Sequence, residues 1–154
     1  MRNKLDFGLT RLLIVLMSIM VLSTLLQVFA RFIDLNVPFT EELTVYAMMW
    51  VTLFGSAYAF GLKKHVAIDA LVSILDASLK WKLEVIIEFL VAVFAFLVLM
   101  IGGLWFTYIT FKLGQLSPVI QIPKGWVYLA VPASGLIILI YNILNIRGIL
   151  LNRK

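Results

Sequence analysis

Apolar and polar positions separate into long blocks. Residues 12–30, 43–62, 89–111 and 126–146 contain no Asp, Glu, Lys, Arg or His. As a helix, each block is about long enough to cross a hydrocarbon core roughly 30 Å thick. Backbone N–H and C=O groups find no water there, so each block is predicted to be helical. Between the second and third blocks the period changes. Asp69, Ser73, Asp76, Lys80, Glu84 and Glu88 recur every three or four residues, as one polar stripe. Val66, Ile68, Leu71, Val72, Ile74, Leu75, Leu79 and Leu83 fill much of the remainder. This predicts an amphipathic helix over about 66–84, lying in the plane of the membrane interface, with Ala77-Ser78 as the place for a break. Trp81 suits that depth, and His65 and Asp69 are further interfacial candidates. The fold class is an all-α membrane protein: four transmembrane helices, one in-plane helix, and a single domain over 1–154.

Charge adds a direction. Only 14% of the 154 residues are charged, against about 25% in soluble domains. Ten of the thirteen basic residues lie at the two chain ends and between the second and third spans. The positive-inside rule then places both termini and that middle segment in the cytoplasm, with residues 31–42 and 112–125 outside. The net charge of +5 is accounted for by anionic membrane lipid, and no nucleic acid is required. Val28-Phe29-Ala30 resembles a signal-peptidase site, but the preceding apolar run exceeds the usual roughly 7–15 residues. A retained first span is therefore expected. The absence of cysteine excludes disulfides and thiolate chemistry.

Candidate chemistry is sparse. No catalytic, cofactor or metal constellation is expected, and the chain is not read as an enzyme. His65 is the sole histidine, and Glu41 and Glu42 are adjacent, so on a helix they point about 100° apart. Thr40 is a candidate N-cap for the second span, with both carboxylates at the positive end of the helix dipole. Arg31 closes the first span and is expected to pair with one of them, leaving the other for a partner. The spans lack ionisable residues at their centres, which argues against an autonomous pump. Ser18, Ser23, Thr24, Gln27, Thr52 and Ser56 read as helix-to-helix hydrogen-bonding groups, and Met20, Met48 and Met49 as packing. Gly55 with Ala59, and Ala57 with Gly61, form two small-xxx-small pairs that permit close helix approach. Ser117-Pro118 and Ile122-Pro123 break the second outer loop, and Pro132 and Gly135 favour a kink in the fourth span. Trp105, Tyr108, Trp126 and Tyr128 suit an outer aromatic belt.

Arg31-Phe32, Phe39-Thr40-Glu41-Glu42-Leu43, Trp50, Phe54-Gly55-Ser56-Ala57 and His65-Val66-Ala67-Ile68-Asp69 follow in order. Gly114, Ser117-Pro118, Ile122-Pro123, Trp126, Tyr128, Pro132 and Gly135 follow them. This series resembles the small membrane subunit, of DctQ type, of tripartite ATP-independent periplasmic (TRAP) transporters. Phe39 stands where that family often has Trp, and Ser56 where it often has Gly or Ala. The resemblance implies a scaffold in the bacterial inner membrane. Its partners would be a large, sodium-coupled elevator subunit and a periplasmic substrate-binding protein delivering an organic acid such as sialic acid or a C4-dicarboxylate. Candidate contacts to these partners are Arg31, Glu41, Glu42, Trp50, Gly55, Ala59, Lys112 and Lys124. A self-sufficient oligomeric channel or exporter is the alternative.

Overall fold

The computed structural model describes residues 2–62 and 77–151; at 77–80, 150 and 151 the backbone alone is described. Helix α1 is Arg2–Phe32 and α2 is Pro38–Gly61. The third span comprises α3 (Ala77–Phe94), a π-helical segment (Ala95–Gly102) and α4 (Gly103–Lys112). The fourth comprises α5 (Lys124–Tyr128) and α6 (Ala130–Leu151), parted at Leu129. Four helical stretches are thus long and apolar enough to cross a membrane. Their limits exceed the apolar runs: the first helix reaches back to Arg2, well before the run begins at Leu12.

The helices pack as a row. α1 lies on α2, α2 on α6, and α6 on α3 and the π-helical segment. The fourth span therefore inserts between the second and third, and it is the most enclosed of the four. The core gathers around it, from Leu9, Ala57, Phe60, Ala95, Ile138 and Tyr141. Large apolar side chains such as Leu22 on α1 and Phe89 on α3 remain exposed, as expected where lipid is the solvent.

Glycines set the closest approaches. A Cβ on Gly135 would fall 2.8 Å from the Leu99 Cβ and 3.2 Å from both the Ala95 carbonyl and the Met100 nitrogen. The expected special role of Gly135 is thus backbone contact with the π-helical segment. The break in the fourth span falls at Leu129, three residues before Pro132. The π-helical widening has no signature in its uniformly apolar sequence, Ala95–Gly102.

Of the in-plane helix expected over about 66–84, residues 66–76 lie outside the described residues, as do His65 and Asp69. From Ala77 onward the backbone runs as one helix into the third span. One member of the expected polar stripe is corrected: Glu88 is buried, at 8% exposure, because it faces Asn142 of α6. Trp81 is half-buried, with the Lys82 ammonium 5.9 Å from its ring.

Candidate functional site

Two polar clusters close the row at opposite ends. The loop end contains residues 33–37 and 113–123. There Ser117 N–H donates to the Ile122 carbonyl and Lys124 N–H to the Gln115 carbonyl, each at 2.9 Å, forming a short hairpin. Gln121 turns it with a φ of 61°, and its side-chain amide donates to the Pro118 carbonyl at 2.8 Å. Glu42 holds this hairpin from α2. Its carboxylate accepts from Ser117 Oγ at 2.6 Å, Ile120 N–H at 2.8 Å and Val119 N–H at 3.3 Å. Ser117 is fully buried by the arrangement. An ionised acceptor with several donors is a strong hydrogen-bonding centre.

This corrects the expected ion pair. Among the described residues no ion pair joins Arg31 to Glu41 or Glu42, because the Glu42 oxygens already serve the hairpin. Arg31 and Glu41 are both exposed and line one open depression with Gln27, Asp34 and Asn36. Glu41 also borders a second depression, with Glu42, Tyr46, Lys124 and Tyr128. Lys124 is half-buried there, while Lys112 is exposed. The N-cap expectation is corrected too. The cap of α2 is Val37 and Pro38 opens the helix, a position that needs no N–H. Thr40 Oγ1 instead donates back to the Val37 carbonyl at 2.7 Å.

Trp50, expected as a partner contact, is half-buried, and its indole N–H donates to the Val127 carbonyl at 3.0 Å, tying α2 to α5. Of the small polar groups expected between helices, Gln27 alone is seen to bridge two, donating to Thr44 Oγ1 at 3.0 Å. Thr24, Thr52 and Ser56 donate to carbonyls of their own helices. Aromatic rings of the third and fourth spans meet near the loop end. Phe106 meets Tyr128 with ring centroids 4.7 Å apart, and Phe111 meets Trp126 edge-on at 5.8 Å.

The two small-residue pairs part company. Ala57 and Gly61 are buried, and a Cβ on Gly61 would fall 2.6 Å from the Tyr141 ring. Ala59 is exposed and Gly55 half-buried; a Cβ on Gly55 would meet only a Leu13 methyl, at 4.0 Å. Val45, Met48, Thr52, Ser56 and Ala59 thus form an outward stripe on α2 at helical spacing.

At the opposite, terminal end, Arg2 donates to the Gly61 carbonyl at the close of α2. Tyr141 O–H donates to the Asp6 carboxylate. Asn142 Nδ2 donates to the Glu88 carbonyl at 2.6 Å and to its carboxylate at 2.7 Å. Asn145 is also buried. Sequence reasoning passed over this cluster, although Tyr141, Asn142 and Asn145 signal it: polar groups at helical spacing within an apolar run. Among the described residues no group of three or more His, Cys, Asp or Glu could hold a metal.

The arrangement is that of a multi-pass membrane protein whose polar residues fasten helices to one another. Its sequence matches a family described as tripartite ATP-independent periplasmic transporters, DctQ component, over residues 20–152. It is 27% identical over 127 residues to a protein of Haemophilus influenzae assigned as a TRAP transporter small permease protein, covering 82% of this chain and 75% of that one. It is also 27% identical over 101 residues to the C4-dicarboxylate TRAP transporter small permease protein DctQ of Rhodobacter capsulatus, covering 66% of this chain and 44% of that one. With the family matched across most of its length, and with four helical stretches long and apolar enough to cross a membrane, this chain belongs to the DctQ family, the small permease component of TRAP transporters.

Proposed function

We propose that this chain is the stationary scaffold of a sodium-driven TRAP transporter for an organic acid of sialic acid or C4-dicarboxylate type, in the bacterial inner membrane. It binds a large elevator subunit within the bilayer and helps dock a periplasmic binding protein. The loop end faces the periplasm in this reading, and the basic chain ends face the cytoplasm and its anionic lipid. The depression around Arg31, Asp34 and Glu41 offers both charge signs to the binding protein.

The outward stripe of α2 carries the proposal. Thr52, Ser56 and Ala59 are low in profile. The two hydroxyls already bond the Met48 and Leu53 carbonyls, so they need nothing from a neighbour. Such a surface admits a second helix backbone at close range. The test is co-purification with the large subunit. Ser56→Leu with Ala59→Leu should abolish it, since both positions are exposed and the chain's own fold is undisturbed. Leu22→Ala, on the exposed face of α1, should leave it intact. Proteoliposomes containing this chain alone should show no sodium-driven uptake. Uptake by the chain alone would overturn the scaffold reading in favour of a self-sufficient channel or exporter.

A further inference from the structure

Asn145 stands apart from every other polar group at the terminal end. It is 1% exposed, yet neither its Oδ1 nor its Nδ2 meets a hydrogen-bond partner. Tyr141 and Asn142 lie four and three residues before it, on the same side of α6. Both are satisfied, Tyr141 by Asp6 of α1 and Asn142 by Glu88 of α3. Burying an amide without any partner is strongly unfavourable, in protein or in lipid.

We propose that Asn145 is the binding site of an ordered internal water that links it to the Asn142–Glu88 pair one turn away. The chemistry of the unmet atoms selects the ligand. A cation would satisfy Oδ1 and leave the Nδ2 hydrogens unmet. An anion would satisfy Nδ2 but would lie near the Glu88 carboxylate. A side chain from a partner protein is excluded by the 1% exposure. Water both donates and accepts, and internal waters typically make about three hydrogen bonds to buried polar groups. Cβ atoms three residues apart on a helix are about 5–6 Å apart, a separation that one water spans. The water adds Asn145 to the polar contacts that join α3 and α6.

The full chain, labelled with ¹⁵N-asparagine in lipid nanodiscs, provides the test. Magnetisation transfer from water to the Asn145 Nδ2 hydrogens is expected, the signal being identified by its loss in Asn145→Leu. That variant should also lower the thermal midpoint by several degrees. Asn145→Ser puts a hydroxyl in place of the amide and leaves room for the water, so it should lose less and also identifies the signal if the leucine variant does not accumulate. Nδ2 hydrogens that receive no transfer from water would overturn the proposal, as would an Asn145→Leu midpoint at or above that of the parent protein.

Discussion

At the loop end, one carboxylate gathers a hydroxyl and two backbone N–H groups, and every contact to the hairpin is direct. At the terminal end, carboxylates from α1 and α3 both reach α6, and Asn145, a turn further on, has no hydrogen-bond partner among the described residues. The loop end is therefore closed by a single residue of α2, the terminal end by several helices at once. Each end also seats an aromatic ring against a glycine. A Cβ on Gly125 would lie 2.5 Å from the Phe111 ring, and one on Gly61 2.6 Å from the Tyr141 ring. Phe111 is 40% exposed and held edge-on by Trp126, whereas Tyr141 is fully buried and tied to Asp6. Equal crowding thus has unequal consequences, because what matters is whether the neighbour can yield.

The largest expected effect follows from that inequality. Gly61→Ala should destabilise the chain by about 1–3 kcal/mol, the usual cost of overpacking a site that cannot relax. Gly125→Ala should cost less, about 1 kcal/mol, since the exposed Phe111 is less enclosed than Tyr141. Thermal unfolding of the purified variants in one detergent compares them. Equal losses would show that the Tyr141 seat is no stiffer than the Phe111 seat.

Next in size is Tyr141→Phe. It keeps the ring against Gly61 and removes only the donor to Asp6, so a loss of about 1–2 kcal/mol is expected for a hydrogen bond to a carboxylate. A loss comparable to that of Gly61→Ala would mean that the hydroxyl, rather than the ring seat, holds α1 to α6.

The loop end is sharpened by Glu42→Gln. The amide replaces one acceptor oxygen with a donor, so at least one of the three hairpin donors then faces an NH₂ group. Hydrogen exchange at the Val119 and Ile120 amides should accelerate on the order of tenfold, which corresponds to losing about one net hydrogen bond. Glu41→Gln, at an exposed position without a hairpin contact, should leave both amides unchanged. Matching acceleration in the two variants would indicate a general charge effect in place of a specific clasp.

The sequence made the four spans legible because a bilayer imposes one rule on every segment: long apolar runs, internally bonded. What the sequence did not show was pairing. Glu42 could be placed at a helix start, but its hydrogen-bonding partners lie 75 to 78 residues away, and no local pattern encodes that distance. Glu88 was placed on the polar stripe by its period, yet α6 packs over it, and no period along one helix reports what a neighbouring helix covers. The Trp50 indole was likewise unreadable as an internal donor, because its acceptor, Val127, belongs to the fourth span.

The smallest expected effect concerns Arg31. Proximity along the chain suggested that it balances Glu41 or Glu42, and the geometry separates these possibilities. Glu42 is turned toward residues 117–120, while Arg31 and Glu41 share a solvent-facing depression with Asp34. Asp34 has a φ of 51°, and the adjacent Leu35 N–H closes the turn onto the Ala30 carbonyl at 2.9 Å. This loop therefore holds its shape through its backbone, with no need of an ion pair. Exposed charges in such a setting couple weakly, because water screens them and ordering long side chains costs entropy. A double-mutant cycle of Arg31→Ala with Glu42→Ala should be additive. The cycle with Glu41→Ala should change the unfolding equilibrium by no more than about twofold beyond additivity. Strong coupling between Arg31 and Glu42 would mean that the carboxylate leaves the hairpin to meet the guanidinium. The loop end would then be an exchanging contact, and its contrast with the terminal end would disappear.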